Sequence, residues 1–434
     1  MKDRNRTFLK SISILTAGSA ISILFLVIVH FATPYIFTPE ELGIKSVILA
    51  IPMAVGSIVC GRYDLTIVYE PDENQVYPLI KLNILLNLAV SSVLTLVTFL
   101  YLAIWETDYL QYWYTIPAVW VYLVAYGLTL TLNSYNNRYR DYKTISKMHA
   151  IRTAAQSLST VALGLILVLW LKLSVLSVAI LVIPYCLGMA AGIRSQGKNI
   201  IQNRKEIFNV KREAVRSIAK KHIKQPLLSA PAIFANSLSY SLITLMINAM
   251  YGETITGYYS LSVTLLGLPI TLISGNMSKV YMKDASLEYE KTGCFKNAFK
   301  KNLIVLFALS IPMFFAMYYA APPLMAALFG EKWRMAGEYI KLLSVMFTFR
   351  FITTALSSGL YVCKKQSAEL ILQLLFLGVT ALSGIIAHFS HLDSMRFIKL
   401  LVIFRSGVMA ILTVVVGYYA SGRGKRHNTI QTSL

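Results

Sequence analysis

Residues 194–225 read RSQGKNIIQNRKEIFNVKREAVRSIAKKHIKQ, and this basic stretch decides the interpretation of the whole chain. It carries ten Lys and Arg residues near the middle of the sequence, and long apolar runs lie on both sides of it. Each run is close to the ~20 residues that a helix needs to cross a ~30 Å hydrocarbon layer. The pattern predicts a cytoplasmic bridge, 194–226, between two six-helix halves.

The composition excludes an ordinary soluble protein. Of 434 residues, 56% are hydrophobic and 14% are charged, and the mean hydropathy is +0.59. Soluble domains usually carry about 25% charged residues. The net charge of +21 lies mainly in short segments beside apolar runs, where the preference of cytoplasmic loops for Lys and Arg explains it. We therefore expect an integral membrane protein that contacts membrane lipids and binds no nucleic acid.

The distribution of Lys and Arg predicts the topology. The segment 133–147 is basic and is assigned to the cytoplasm, whereas 105–113 has no Lys or Arg and is assigned to the outside. Both termini are then cytoplasmic. The predicted fold class is an all-α integral membrane protein with about twelve transmembrane helices in two six-helix lobes around a central cavity. The predicted spans are 12–31, 44–59, 79–104, 114–132, 148–170, 174–193, 227–250, 257–277, 303–321, 340–362, 370–389 and 397–419. The corresponding domains are an N-terminal lobe (1–193), the basic linker (194–226), a C-terminal lobe (227–420) and a cytoplasmic tail (421–434).

A weak internal repeat relates the two halves. Residues 38–43 (TPEELG) and 252–257 (GETITG) each precede a span that contains a proline, Pro52 and Pro269 respectively. Because six helices return the chain to its starting side, the halves would be parallel repeats about an axis along the membrane normal. Chance similarity between short loops is the alternative.

Cysteine usage and the N-terminus indicate no special processing. The four cysteines, Cys60, Cys186, Cys294 and Cys363, are scattered without CxxC spacing, so neither a disulfide framework nor a zinc site is indicated. The first apolar run follows a basic N-terminus without a cleavage signal and is interpreted as a retained span. We expect no metal and no cofactor, other than a coupling proton or sodium ion.

Buried cations are the main chemical signal, because no catalytic motif stands out. Arg350 and Arg405 fall near the middle of predicted spans, where a guanidinium costs at least ~2.5 kcal/mol. Uncompensated cations there indicate a water-filled cavity and an anionic ligand, most simply a phosphate, which the planar fork of Arg suits. The alternative for both is a structural pair with a backbone carbonyl or with Glu369. Arg152 lies about a turn inside its span, so it either snorkels to the interface or lines the cavity.

The second predicted span contains an ambiguous pair of charges, Arg62 and Asp64. If the helix continues through them, Arg62 lies in the inner part of a cavity and Asp64 is a candidate for proton or sodium coupling, as is Glu369 elsewhere in the chain. If the helix stops at Cys60, both are ordinary interfacial charges. On a helix, residues two apart point to different faces, so these two need not pair with each other.

Three stretches resemble the bacterial polysaccharide flippases, the O-antigen and capsule translocases of the multidrug/oligosaccharidyl-lipid/polysaccharide exporter superfamily. Residues 61–68 (GRYDLTIV), followed by a short acidic loop, resemble the family's RYE-L-A-I-V signature. Residues 231–236 (PAIFAN), with 257–261 and 268–269, resemble its seventh and eighth helices. Residues 329–339 (FGEKWRMAGEY) resemble its FG-x-x-W-x-x-AG-x-Y outer loop and are the most specific of the three. One departure is that 35–37 (YIF) lacks the Arg that members often have before the first outer loop, which puts a phosphate contact from the first span in doubt.

The resemblance implies a lipid-linked oligosaccharide flippase, a transporter and not an enzyme. It would move undecaprenyl-diphosphate-linked repeat units of O-antigen, capsule or a related lipopolysaccharide or surface polysaccharide from the cytoplasmic to the periplasmic leaflet of the bacterial inner membrane. Arg62, Arg350 and Arg405, with Arg152, would contact the diphosphate. A polysaccharide polymerase and a chain-length regulator would be its partners.

Two other functions remain open at this point. A multidrug or small-molecule exporter of the same superfamily would be expected to have intramembrane carboxylates, whereas the cations here favour an anionic substrate. A membrane-bound polysaccharide polymerase or ligase usually holds its chemistry in a large outer loop, and the longest one predicted here, 322–338, has about seventeen residues.

Overall fold

The structure is a computed structural model that describes residues 20–104, 107–172, 176–197, 200, 202–363 and 365–422. Every regular element within these ranges is helical. The start of the first predicted span and most of the tail 421–434 lie outside the described residues, so the predicted location of both termini stays a prediction.

The number of membrane spans agrees with the sequence. Ten helices of the described chain are long and apolar enough to cross a membrane, and Ala20–Ile36 is a shorter apolar helix. One of the ten, Gln225–Thr292, is interrupted at Gly252, where φ is 80°, so it supplies two spans. The predicted fold class of about twelve membrane helices is thereby confirmed.

The helices, numbered in chain order, begin near the predicted positions and often extend beyond them. The first half contains α1 (Ala20–Ile36), α2 (Pro39–Val55), α3 (Asp64–Tyr69), α4 (Val76–Ile104), α5 (Ile116–Arg138), α6 (Tyr142–Leu163) and α7 (Ser177–Gln196). The linker forms α8 (Arg204–Asn209) and α9 (Arg212–Lys221). The second half contains α10 (Ala230–Pro269), α11 (Gly275–Thr292), α12 (Lys296–Phe329), α13 (Arg334–Leu356), α14 (Gly359–Val362), α15 (Gln366–Phe389) and α16 (Ser394–Ala420).

The TPE sequence begins α2 by a capping box. The Thr38 hydroxyl accepts a hydrogen bond from the Glu41 amide at 3.3 Å, and the Glu41 carboxylate accepts one from the Thr38 amide at 2.8 Å. Pro39 occupies the first helical turn, where its missing N–H costs nothing. The sequence therefore specifies where this span starts through purely local contacts.

The prediction of a long outer loop at 322–338 is wrong. Helix α12 continues through Pro322 to Phe329, and α13 starts at Arg334 after a single 3-10 turn. Gly330 turns the chain with φ 88°, a region that favours glycine, and Trp333 is fully buried. At Gly337 the two helices approach so closely that an added Cβ would lie 2.5 Å from the Pro322 Cα. The family-like motif at 329–339 is thus a tight helix–helix corner and not a loop.

The basic segment 279–301, which lies between two predicted spans, is mostly helical. Helix α11 continues to Thr292, Gly293 ends it in the left-handed region with φ 71°, and α12 starts at Lys296. The Glu288 carboxylate accepts hydrogen bonds from the Asn297 and Ala298 amides and so caps the start of α12. A search for apolar runs does not predict this helix, because the helix contains many charged residues.

The chain divides into two compact units, Met1–Leu245 and Met246–Leu434. In the first, helices α4, α5, α6 and α7 pack against one another around a core that includes Val47, Leu123 and Val178. In the second, α13 packs against α12 and α16. The boundary between the two units falls inside the seventh span, because the linker and the start of α10 pack on the first unit. The predicted bounds of the lobes and the linker stay a prediction.

The linker is docked on the first unit and is not an extended bridge. Val215 and Ile218 on α9 and Ile207 on α8 are buried in a cluster with side chains of α4, including Leu79 and Ile80. Apolar residues that share one face of a basic helix need a surface to cover them. The start of α4 provides that surface.

Polar contacts hold the linker in register. Glu70, just after α3, has a fully buried side chain that contacts Lys221 Nζ at 2.6 Å and His222 Nε2 at 2.7 Å. Burial acts to raise the pKa of Glu70, but the hydrogen bonds from Lys221 and His222 outweigh it and hold the pKa below its ordinary value. Lys81 donates to the carbonyl oxygens of Phe208 and Val210, both at 2.7 Å. We call the contact of Glu70 with Lys221 and His222 the linker latch.

Candidate functional site

The second span stops where the sequence left two possibilities open. After α2 the chain makes a 3-10 turn, Gly56–Ile58, and then places Gly61 and Arg62 at φ 56° and 63°. A residue with a Cβ is strained in that region by roughly 1–2 kcal/mol. The turn separates α2 from α3, so Arg62 and Asp64 are not part of a continuous membrane helix.

Asp64 is nevertheless buried. It begins α3, its exposed fraction is 2%, and within the described chain its Oδ1 atom has no hydrogen-bond partner. Burial raises the pKa of this carboxyl, while the nearby Arg62 charge and the backbone amides of Asp64 and Leu65 act in the opposite direction. The alternative of an ordinary interfacial charge does not describe Asp64, because the turn between α2 and α3 folds its side chain into the first unit. A carboxyl in such a place can bind and release a proton.

Arg62 lies beside this carboxyl and is half-buried. Its Nε atom is buried and has no hydrogen-bond partner among the described residues. The expectation that Arg62 and Asp64 need not interact rested on helical geometry, and the left-handed turn between them removes that geometry. The two charges interact electrostatically.

Arg152 is held where α6 and α7 approach most closely. A Cβ at Gly188 would lie 2.7 Å from the Arg152 carbonyl oxygen, and one at Gly192 would lie 3.3 Å from the Arg152 Cβ. This Gly-x-x-x-Gly spacing on α7 lets the two backbones pack without side chains between them. Arg152 is half-buried, and the buried Nε atom has no hydrogen-bond partner among the described residues.

An aromatic cluster near Arg152 was not predicted from the sequence. The ring of Tyr122 lies 5.9 Å from that of Tyr126 and 6.0 Å from that of Tyr185, between ring centroids. The Arg152 charge is close enough to interact electrostatically with the Tyr122 hydroxyl. The available signal was tyrosine at 122 and 126, one turn apart in a span that also carries polar residues.

In the second unit, Arg350 lies on α13, well inside the span Glu331–Val362. Its side chain is half-buried, and the guanidinium carbon is 5.2 Å from the centre of the Phe347 ring one turn away. A cation over an aromatic face is stabilised by the ring quadrupole. A planar guanidinium is suited to donate two hydrogen bonds to one phosphate or carboxylate.

Arg405 on α16 has a different environment from the one expected. It is fully buried, its Nη1 atom donates to the Thr380 hydroxyl at 2.7 Å, and its guanidinium carbon is 5.3 Å from the Phe376 ring centre. The prediction that Arg405 faces a wet cavity does not describe this arrangement, because α15 covers the side chain. In this structure the group is packed and hydrogen-bonded within the second unit.

Glu369 lies in the first turn of α15 and is half-buried. Its carboxylate accepts a hydrogen bond of 2.6 Å from the Tyr361 hydroxyl. The sequence left open a pair between Glu369 and Arg350 or Arg405, and the contact that Glu369 makes here is with a tyrosine instead.

The first unit contains a cavity between α4, α5 and α7. Its volume is about 140 Å³, and it is lined by Ile80, Ile84, Leu128, Thr131, Leu132, Ile193, Gly197 and Ile200. Its lining has a single polar side chain, so it suits hydrocarbon and not a charged headgroup.

The predicted cations are divided between the two units. Arg62 and Arg152 lie in the first, and Arg350 and Arg405 lie in the second.

The chain matches a known protein family. The family described as "Polysaccharide biosynthesis protein" matches residues 35–338. No curated protein matches the chain.

Solved structures share the fold. The chain is similar to "Lipid II flippase MurJ, inward closed conformation", with a TM-score of 0.68, 12% identity, and coverage of 95% of this chain and 87% of that one. It is also similar to an inward-facing multidrug resistance MATE transporter of the MOP superfamily, with a TM-score of 0.56, 14% identity, and coverage of 94% and 96%. A MOP superfamily transporter from Pyrococcus furiosus whose binding pocket is described as of reverse polarity has a TM-score of 0.55 at 14% identity, with coverage of 95% of both chains. At these identities the likeness establishes the fold alone.

Proposed function

The chain belongs to the polysaccharide biosynthesis protein family, and from that premise we propose that it is a flippase for a lipid-linked oligosaccharide. The substrate would be an undecaprenyl-diphosphate-linked repeat unit of O-antigen, capsule or a related surface polysaccharide. It would move from the cytoplasmic to the outer leaflet of a bacterial inner membrane. A polymerase and a chain-length regulator would act on the product.

The observation that carries the proposal is Arg350. A guanidinium inside a span costs at least ~2.5 kcal/mol, and Arg350 places one there, half-buried beside Phe347. A diphosphate is the part of the substrate that most needs such a group, because its charge could not otherwise enter a low-dielectric layer. Guanidinium can donate two hydrogen bonds to one phosphate and does not lose its charge.

The other cations would act in different ways. Arg152, beside the tyrosine cluster, and Arg62 are half-buried and would contact the headgroup as it enters or leaves. Arg405 is fully buried, so it would raise the local positive potential without touching the ligand. The prenyl tail would stay in lipid while alternating access carries the headgroup across.

Asp64 would supply ion coupling. It is buried, its pKa is raised by burial, and it lies at the turn that ends α2. Protonation would remove an uncompensated buried charge and so favour the conformation described here. Glu369 is a weaker candidate, because the Tyr361 hydroxyl already satisfies one of its carboxylate oxygens.

A second candidate function is export of drugs or small molecules, and the likeness to MATE transporters supports it. A drug exporter that binds organic cations needs carboxylates in its spans. The candidate site residues of this chain that lie inside spans are arginines: Arg152, Arg350 and Arg405. This difference favours an anionic substrate.

The test is translocation of a fluorescent polyprenyl-diphosphate sugar in liposomes that contain the purified protein. We expect Arg350→Ala to slow translocation about 10- to 100-fold, the effect of losing one or two charge-assisted hydrogen bonds. The matched control is Arg334→Ala, at the start of the same helix, where the side chain is 55% exposed and pairs with Glu331. That variant should change the rate less than about twofold. Unchanged translocation by Arg350→Ala would contradict the diphosphate role.

A further inference from the structure

The linker presents a stripe of positive charge that the docking described above does not use. Between residues 204 and 224 the sequence has eight Lys and Arg residues and two Glu residues. Arg212, Arg216, Lys220 and Lys224 follow one another at four-residue intervals, and all four are exposed. On a helix this spacing places side chains in one row, which Arg212, Arg216 and Lys220 share on α9, and Lys224 follows just after the end of that helix. Val215 and Ile218, which are buried, lie on the other side of α9.

This row of charge has a local cost. Like charges four residues apart on a helix repel one another by a few tenths of a kcal/mol per pair. Within the described chain, none of Arg212, Arg216, Lys220 and Lys224 has an acidic partner within 4.0 Å. A helix that served only to join two units would not need this arrangement. An external anion would remove the repulsion.

Apolar side chains accompany the stripe. Phe208 is 63% exposed and Ile223 is 47% exposed, both on the linker. Leu227, at 65% exposed, follows directly and opens the span Gln225–Thr292. Since a helix rises 1.5 Å per residue, Lys220 is within about 10 Å of the membrane span along the chain. Basic and apolar side chains side by side at that level suit the headgroup region of a bilayer.

The linker holds these groups in a fixed place. The linker latch joins α9 to α3, and Lys81 joins the end of α8 to α4. The Tyr63 hydroxyl donates to the Ala219 carbonyl oxygen at 2.9 Å and so ties α9 to the turn before α3. The charges are therefore presented on a rigid support, and binding a partner need not order the helix first.

We propose that Arg212, Arg216, Lys220 and Lys224, with Phe208 and Ile223, form a binding surface for anionic phospholipid headgroups of the cytoplasmic leaflet. Clusters of four or more cations beside a membrane span attract such lipids. The phosphates would lie along the stripe while the two apolar side chains enter the headgroup boundary. This surface does not depend on which substrate is transported.

The test uses the full chain in phosphatidylcholine liposomes with a Phe208→Trp reporter. Brominated phosphatidylglycerol or brominated phosphatidylcholine is added at equal fractions, and quenching of the introduced indole is taken as the difference from protein without the reporter. We expect phosphatidylglycerol to quench at least about threefold more strongly, and the excess to fall as salt is raised. Equal quenching by the two lipids would overturn the proposal.

A charge-matched pair of variants makes the test specific. Arg212→Gln, Arg216→Gln and Lys220→Gln together should remove the excess. Lys291→Gln, Lys296→Gln and Lys300→Gln together change the net charge equally at another exposed basic segment and should leave it intact. If both triple variants reduce quenching alike, general attraction of a basic protein explains it and the proposed surface is refuted. Displacement by inorganic phosphate at constant ionic strength would instead identify a soluble-anion site and would also overturn it.

Discussion

Among single residues, Asp64 is the one whose environment differs most from what its neighbours in sequence indicate. It follows an arginine, a tyrosine and a turn, which would usually place a carboxylate in water. The left-handed conformations of Gly61 and Arg62 fold it inward, where it is 2% exposed. A buried, partly unsatisfied carboxyl is costly unless it is protonated. Asp64 therefore links the conformation of this turn to pH.

Replacing Asp64 with Asn should change how stability depends on pH. Because the folded-state pKa of Asp64 is raised, its contribution to stability is fully present below the ordinary pKa and is lost as the pH rises through the raised value. Asn shows no such loss. We expect Asp64→Asn to raise the melting temperature of detergent-solubilised protein more at about pH 8 than at about pH 4, with a free-energy difference of ~1.4 kcal/mol for each unit of pKa shift.

Differential scanning fluorimetry measures that difference. The control is Asp72→Asn, since Asp72 is exposed and caps a short surface turn. If the melting temperatures of native protein and Asp64→Asn change in parallel with pH, the carboxyl is ionised at every pH in that range.

The arginines illustrate what a sequence can predict about a charged residue. The apolar context of Arg350 and Arg405 was sufficient to identify both as unusual. It could not distinguish Arg350, which is half-buried beside Phe347, from Arg405, which is covered by α15. The difference depends on which helix packs over each face, and that is a long-range contact.

At the scale of helices, the linker is the element that sequence analysis described least well. Its charge predicted a cytoplasmic location, but the apolar residues within it were overlooked because they are few and widely spaced. Ile207, Val215 and Ile218 are enough to fasten two short helices to α4. Short helices of this kind are marginal in water and depend on tertiary packing.

Breaking the linker latch should release these helices. Glu70→Gln removes the buried charge that holds Lys221 and His222, and hydrogen bonds to charged groups contribute about 1.5–3 kcal/mol. Because the pKa of Glu70 is lowered, its contribution is present at neutral pH and is lost only as the pH falls through that lowered value. We expect trypsin to cleave the linker about tenfold faster at neutral pH.

A nearby carboxylate provides the control for the latch. Glu73 pairs with Arg138 at 3.2 Å but has a side chain that is 64% exposed, so Glu73→Gln should change the cleavage rate less than about twofold. Mass spectrometry of the fragments identifies the sites. Equal rates for native protein and Glu70→Gln would show that apolar packing alone holds the linker.

The corner between α12 and α13 depends on Gly337. A Cβ there would meet the Pro322 Cα at 2.5 Å and the Ala321 carbonyl oxygen at 2.8 Å, and neither backbone atom can move aside. We expect Gly337→Ala to destabilise the protein by about 1–3 kcal/mol, the usual cost of overpacking.

Gly378→Ala is the matched control for Gly337→Ala. Gly378 lies in the middle of α15 with no atom within 4 Å of an added Cβ, so alanine there should be neutral or stabilising by about 0.5–1 kcal/mol. Thermal unfolding of the two variants side by side separates packing from helix propensity. A Gly337→Ala variant as stable as Gly378→Ala would mean that the helices separate at little cost.

For the whole molecule, the arrangement of spans predicts which residues are accessible from each side. Glu331, whose side chain is 74% exposed, precedes α13 at the predicted outer face, and Arg216 is exposed on the linker. In a variant without the four native cysteines, Glu331→Cys should react with a membrane-impermeant maleimide in intact cells. Arg216→Cys should react only after the membrane is permeabilised. The opposite pattern would invert the topology on which the flippase proposal depends.

The sequence by itself determined the class of protein, the number of spans and their order, and the family. These follow from local properties, since a ~20-residue apolar run must be helical in lipid and loop charge reports the cytoplasmic side. Local chemistry also set particular boundaries, such as the capping box at Thr38. Only the tertiary structure decided that the linker docks on the first unit, that 322–338 is a helical corner, that Asp64 is buried and that Arg405 is covered. Each of these depends on contacts between segments far apart in the chain, whose geometry no periodicity records.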